Sequence, residues 1–150
     1  MSKYKANGKG SYAVCEMCGG QVEVREAQAI SDPKTAYAVV RGLSKMKREH
    51  LVGLYLDAQN QLLAREEISV GSLNTTHTHP REIFKPAIDH GAMGVILAHN
   101  HPSGSLEVSQ EDQDFTMAIR KAADILGIGL YDHLIVSPRG LVSMRERGLM

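Results

Sequence analysis

The sequence predicts an α/β (α+β) fold in which a single mixed β-sheet is flanked by helices. Three observations carry this expectation. Met93-Gly94-Val95-Ile96-Leu97-Ala98 is an uninterrupted apolar run, the pattern of a central strand covered on both faces. Residues 31–47 and 109–126 repeat apolar side chains at helical spacing, whereas Leu51–Leu56 and Gln61–Val70 read as two strands around a polar turn. At 150 residues the chain suits one domain with a proper hydrophobic core.

The elements follow in order. Residues 1–27 are expected to be a flexible N-terminal tail, because Lys3, Lys5, Asn7, Gly8, Lys9 and Gly10 offer almost nothing to bury. Within it Cys15-Glu16-Met17-Cys18 reads as a turn carrying two free thiols; a structural zinc ribbon needs a second cysteine pair, and the sequence has only 2 cysteines. Val22 and Val24 suit a short strand. Ser31-Asp32-Pro33 starts a helix with a capping side chain and proline in the first turn, and Ala36, Val39, Val40 and Leu43 carry it to about Lys47. Asp57-Ala58-Gln59-Asn60 supplies the hairpin turn. Pro80 opens a helix with Ile83, Phe84, Ala87 and Ile88 inward and Gly91 at its close, bent or interrupted at Pro86. In the helix over 109–126 the inward residues are Phe115, Ala118, Ile119, Ala122, Ala123 and Leu126, with Gly127 beyond its end. Leu130–Val136 and Leu141–Ser143 complete the strands, joined through Pro138-Arg139-Gly140.

Composition narrows the functional classes. Apolar residues at 43% and charged residues at 23% are ordinary for a globular domain. With 17 basic and 17 acidic residues the formal net charge is zero, which argues against nucleic-acid binding through the whole surface. No apolar run approaches the ~18 residues that cross a bilayer, so no membrane association is expected. The start, Met1-Ser2-Lys3-Tyr4-Lys5, leads into polar sequence, and the sparse cysteines suit a reducing compartment; a cytoplasmic location is the expectation.

The chemistry concentrates in His99-Asn100-His101-Pro102-Ser103-Gly104, followed by Ser109 and Asp112. Alternate side chains of an extended backbone point to one side at ~6.5 Å intervals, so His99 and His101 can converge on one metal ion. Pro102 and Gly104 then turn the chain. Ser109 stands where a helix N-cap stands, and Asp112 three residues on projects from the first turn back toward the strand end. Two imidazoles and a carboxylate are a zinc ligand set that leaves the fourth tetrahedral position to water, as in catalytic sites. His77-Thr78-His79-Pro80 repeats the histidine pattern without a following Ser-x-x-Asp; His79 reads as the residue before a helix and His77 as a surface side chain. His133 reads either as a satisfied core histidine or as a residue orienting something at the site. Asn100 and Ser103 are expected to shape the loop through bonds from side chain to backbone.

With these residues the chain resembles the JAB1/MPN/Mov34 (JAMM) metalloenzymes, and among them the RadC family. Pro80-Arg81-Glu82-Ile83-Phe84, the asparagine between the two histidines, Tyr131-Asp132-His133-Leu134-Ile135-Val136 and the closing Glu146-Arg147-Gly148-Leu149 carry the second resemblance. It covers residues 28–150. It implies a cytidine-deaminase-like JAB/MPN architecture, zinc at His99, His101 and Asp112, and an upstream glutamate as general base. Glu49 sits where the family would have it, with Glu66 and Glu67 as competing candidates.

The resemblance further implies a hydrolase acting on a peptide or isopeptide amide in a peptide or protein substrate. Zinc lowers the pKa of its water toward ~7, Glu49 takes the proton and later passes it to the departing amine, and Ser109 can donate to the developing oxyanion. The alternative is a protein associated with DNA repair or recombination, in which the zinc domain is structural or binds a partner. Longer RadC proteins carry a helix-hairpin-helix region ahead of the metal domain, which is not expected within these 150 residues. The sequence leaves the oligomeric state open.

Overall fold

The structure, a computed structural model, describes residues 4–6, 12–15, 21–23, 28–71 and 78–150. Three short antiparallel strands fall in the stretch read as a tail: β1 (Tyr4–Ala6), β2 (Tyr12–Cys15) and β3 (Gln21–Glu23), in the order β1-β2-β3. The turn from Glu16 to Cys18, Val24, and His77 lie outside the described residues.

The main sheet is single, mixed and five-stranded, as the sequence predicts. Its strands are β4 (His50–Leu56), β5 (Leu62–Val70), β6 (Gly94–Asn100), β7 (Gly129–Ser137) and β8 (Gly140–Ser143), in the order β5-β4-β6-β7-β8. β6 runs antiparallel to β4 and parallel to β7. Every residue of β6 is buried, which explains its unbroken apolar run. In the β4–β5 turn, the Asp57 Oδ1 accepts from the Gln59 and Gln61 backbone amides at 2.8 Å each, and Asn60 takes a positive φ of 59°.

Among the described residues three α-helices cover the sheet. α1 (Pro33–Val40) starts on an Asp32 capping box, and α2 (Pro80–Asp89) starts on His79, whose Nδ1 accepts from the Arg81 amide at 3.2 Å. α3 (Gln110–Leu126) ends on Gly127 in the left-handed region at φ 67°. Two boundaries differ from expectation. α1 stops at Val40, and Arg41–Lys45 tightens into a 3-10 turn instead of continuing to Lys47. α2 runs through Pro86 to Asp89, because the proline falls in its last turn, near the natural end of the helix. Ala118, Leu126 and Ile88, which helical spacing predicts to face inward, are exposed; on α3 the buried stripe is Asp112, Thr116, Ile119 and Ala123.

The core has two halves, one on each face of the sheet. One packs α1 against Val52, Leu54, Leu56, Ile96, Ala98, Leu134 and Val136. The other packs Ile83, Phe84 and Ala87 of α2 and Ile119 and Ala123 of α3 against Leu51, Tyr55, Val95 and Leu97. Strand alternation puts His99 on this second face, in line with Val95 and Leu97.

Gly94 and Gly129 are partners across β6 and β7, and the Tyr131 ring lies over both. A Cβ built on Gly94 would stand 2.0 Å from that ring. Gly94→Ala is therefore expected to destabilise the domain by about 1–3 kcal/mol in urea unfolding, through expulsion of the ring. The loss should shrink in a Tyr131→Leu background, because the two sites share one space.

Candidate metal centre

The candidate ligands meet because β6 and the residue just after it deliver two histidines and α3 returns a carboxylate to the same corner. His101 closes β6's path: its amide donates to the Val136 carbonyl at 2.9 Å, after which His101–Gly104 turns, with the Gly104 amide donating to the His101 carbonyl at 3.0 Å. Gly104 takes φ 82°, a conformation that favours glycine. The chain then enters α3 through a reciprocal cap. Ser109 Oγ accepts from the Asp112 amide at 3.0 Å, and Asp112 Oδ2 accepts from the Ser109 amide at 2.9 Å. The cap fixes the rotamer of Asp112 and aims its other oxygen at β6.

His99, His101 and Asp112 each offer one ligand atom, and these atoms lie within 4.8 Å of one another. The two Nε2 atoms are 2.9 Å apart; His99 Nε2 is 3.2 Å from Asp112 Oδ1, and His101 Nε2 is 3.6 Å from Asp112 Oδ2. A tetrahedral ion with arms of ~2.0–2.1 Å requires ligand atoms about 3.3 Å apart, so the observed separations straddle the requirement. His99 and Asp112 are buried, whereas the His101 side chain keeps 14% of its exposure and marks the open side.

The electrostatics call for a cation at this point. His101 Nδ1 faces the Ser105 carbonyl at 3.2 Å; a carbonyl only accepts, so Nδ1 carries the proton and Nε2 turns its lone pair inward. Asp112, through its hydrogen bond, raises the His101 pKa against the effect of burial, and the charges of Asp112 and Glu49 add to the rise. Burial alone would push the Asp112 carboxyl up. Its contacts with His101 and His99 and the Ser109 cap outweigh that and hold it well below the usual carboxylate range. These three residues could hold a metal ion.

Glu49 precedes β4 and is half-buried. The β4–β6 ladder pairs Leu51 with His99, and the same antiparallel register carried past the ladder's end sets Glu49 across from His101. Glu49 lies near enough to the cluster for its charge to be among those that raise the His101 pKa. Asn100 ties this segment down. Its Oδ1 accepts from the His50 amide at 2.7 Å and its Nδ2 donates to the Arg48 carbonyl at 2.9 Å, so both backbone neighbours of Glu49 hang on the residue between the two histidines. Glu66 and Glu67, the competing base candidates, lie on β5, where Glu66 Oε1 is 2.6 Å from His90 Nε2 and Glu67 Oε2 is 2.7 Å from His50 Nδ1.

His133 is a core histidine that lies against the cluster. It is fully buried, and its Nε2 lies 2.8 Å from His99 Nδ1. Burial, and then the neighbouring His99, push its imidazole well below the usual range. Sequence reasoning missed Thr116, whose Oγ1 is 2.6 Å from His133 Nδ1. The signal was present: Thr116 sits one turn after Asp112, a polar residue on the buried stripe of α3.

Comparison with known proteins matches residues 30–149 to the RadC-like JAB domain. A UPF0758 protein of Rubrobacter xylanophilus is 43% identical over 122 residues, which cover 81% of this chain and 53% of the relative. Further UPF0758 proteins, of Desulforamulus reducens at 44% over 112 residues and of Geobacillus thermodenitrificans at 42% over 110, cover 75% and 73% of this chain and 49% of their own lengths. The chain thus spans about half the length of the curated relatives it matches. Among the described residues no helix is long and apolar enough to cross a membrane. With the motif folded into one corner and the match running through the whole main sheet, the chain belongs to the RadC-like JAB domain family.

Proposed function

We propose that residues 28–150 form a zinc-dependent hydrolase of peptide or isopeptide amide bonds, with His99, His101 and Asp112 as metal ligands and Glu49 and Ser109 as catalytic residues. The observation that carries this reading is the convergence of two imidazoles and a carboxylate at the end of β6, beside the segment that bears Glu49. Zinc bound there would supply Lewis acidity, enough to let water lose a proton near neutral pH and to polarise an amide carbonyl.

This chain's residues do the rest. Glu49 accepts the proton of the attacking water and delivers it to the leaving amine, a role that needs a carboxylate held at fixed height against the cluster. Asn100 provides that height by gripping the backbone on both sides of Glu49. Ser109 Oγ spends only an acceptor lone pair on the Asp112 amide, so its proton is available to an oxyanion, an effect of ~2–4 kcal/mol for a well-aimed donor. A peptide or protein substrate enters from the partly exposed His101 side.

Zinc-loaded protein should cleave members of a peptide and isopeptide library, and Glu49→Gln should slow cleavage by about 10²–10⁴-fold at unchanged zinc content. Equal cleavage by the two proteins, or none by either, contradicts the hydrolase reading.

Metal and proton compete for His101. A folded pKa above the unfolded one contributes stability to the metal-free protein that is fully present below the unfolded value and is lost as pH rises through the folded value. Zinc affinity moves the other way, falling as pH drops through the folded value. The shift in melting temperature on adding zinc should therefore grow with pH between about 6 and 9 and flatten in His101→Ala. Thermal unfolding with and without zinc across that range checks it.

A further inference from the structure

We propose that Thr116 and His133 are positioning residues that lock the tautomer of His99, so that its proton stays on Nδ1 and the Nε2 lone pair faces the metal position. The inference deepens the metal-site reading and rests on it. It follows from where protons must sit in a short buried chain of contacts.

Thr116 Oγ1 is 2.6 Å from the Asp112 carbonyl oxygen, one turn back along α3. Two oxygens at that distance repel unless a proton lies between them, and a carbonyl has none to give. The hydroxyl proton of Thr116 therefore points at Asp112. The same Oγ1 is 2.6 Å from His133 Nδ1. With its one proton spent, Oγ1 can only accept, so Nδ1 of His133 carries the proton in that contact.

His133 is completely buried, with Asp132 Oδ1 accepting from its backbone amide at 2.7 Å; among the described residues the groups in contact with its ring are Thr116, the His99 ring and the Phe115 ring, and none is a carboxylate. The Thr116 contact already places a proton on Nδ1, and a His99 that ligates through Nε2 must keep its own proton on Nδ1, so the one proton in the 2.8 Å contact between His133 Nε2 and His99 Nδ1 belongs to His99. His99 in turn keeps Nε2 free, facing His101 Nε2 at 2.9 Å and Asp112 Oδ1 at 3.2 Å. The assignment is the same whether His101 is neutral or charged, because a proton on His101 Nε2 would be donated to the same lone pair.

The opposite proton order shows what is at stake. Were Thr116 to donate to His133, the His133 proton would move to Nε2, His99 would accept at Nδ1, and its remaining proton would occupy the ligand position. The hydroxyl of Thr116 thus decides whether His99 can ligate. Asp112 takes part twice, as a ligand through its side chain and as the anchor of the relay through its carbonyl, so both ends of the device are fixed to one residue of α3. His101 obtains the same tautomer more simply, from the Ser105 carbonyl. Ligating histidines generally have their second nitrogen held in this way, and loss of such a partner typically costs 10–100-fold in metal affinity.

Long-range proton–nitrogen NMR of the imidazoles in metal-free full chain reads the tautomers directly. The expected result is Nδ1–H on both His99 and His133 in the wild type. Thr116→Val should move part of the His99 population to Nε2–H and weaken zinc binding, measured by chelator competition, by about 10–100-fold, with Thr116→Ser restoring both. A wild-type His99 protonated at Nε2 overturns the relay, whether or not zinc binds. So does a folded Thr116→Val protein with wild-type tautomers and zinc affinity, and that outcome leaves the metal site standing. Failure of the wild type to take up zinc, with Nδ1–H on both rings, overturns the metal reading and upholds the tautomer assignment.

Discussion

Two imidazole nitrogens held 2.9 Å apart beside a buried carboxylate are the constraint on which the rest depends. Lone pairs brought that close need positive charge among them, and the surrounding fold is arranged to keep them there. The central strand fixes the two histidines one pleat apart. The turn ending at Gly104 reverses the chain, and the Ser109 cap holds Asp112 in one rotamer. Each device is local, and together they bring three side chains from two elements to one point.

The site lies at the carboxyl end of a parallel pair, β6 and β7, joined by α3. Open sheets offer a crevice there, because the strand ends and the helix N-terminus leave the backbone partly uncovered. The antiparallel strand β4 on the other side of β6 brings its start, and with it the Glu49 segment, to the same end. Asn100 links the two sides: its neighbours on β6 reach toward the cluster on one face while its own amide grips the β4 approach from the other.

Much of this was legible in the sequence because it is encoded over short distances. The apolar run before His99, the alternation of His99 and His101, and the three-residue step from Ser109 to Asp112 each report a local geometry, and the sheet and ligand cluster follow from them. What stayed hidden depends on contacts between distant segments. Thr116 and His133 lie 17 residues apart and meet only when α3 packs on β7. The Asn100 grip on Arg48 and His50 spans about fifty residues of chain. The exposure of Ala118 and Leu126 had the same origin: a helical stripe can be drawn at several angles, and only packing against the sheet selects the one through Thr116. The place of Glu66 and Glu67, on the edge strand β5 with a histidine beside each carboxylate, likewise depends on pairing between distant segments.

X-ray absorption at the zinc edge of protein loaded with one equivalent tests the central claim most directly. The account predicts one tightly bound zinc with two imidazole nitrogens and oxygen donors at ~2.0–2.1 Å, the imidazole signal falling by half in His101→Ala. A zinc shell dominated by sulfur, or an imidazole signal that survives loss of both His99 and His101, would contradict it.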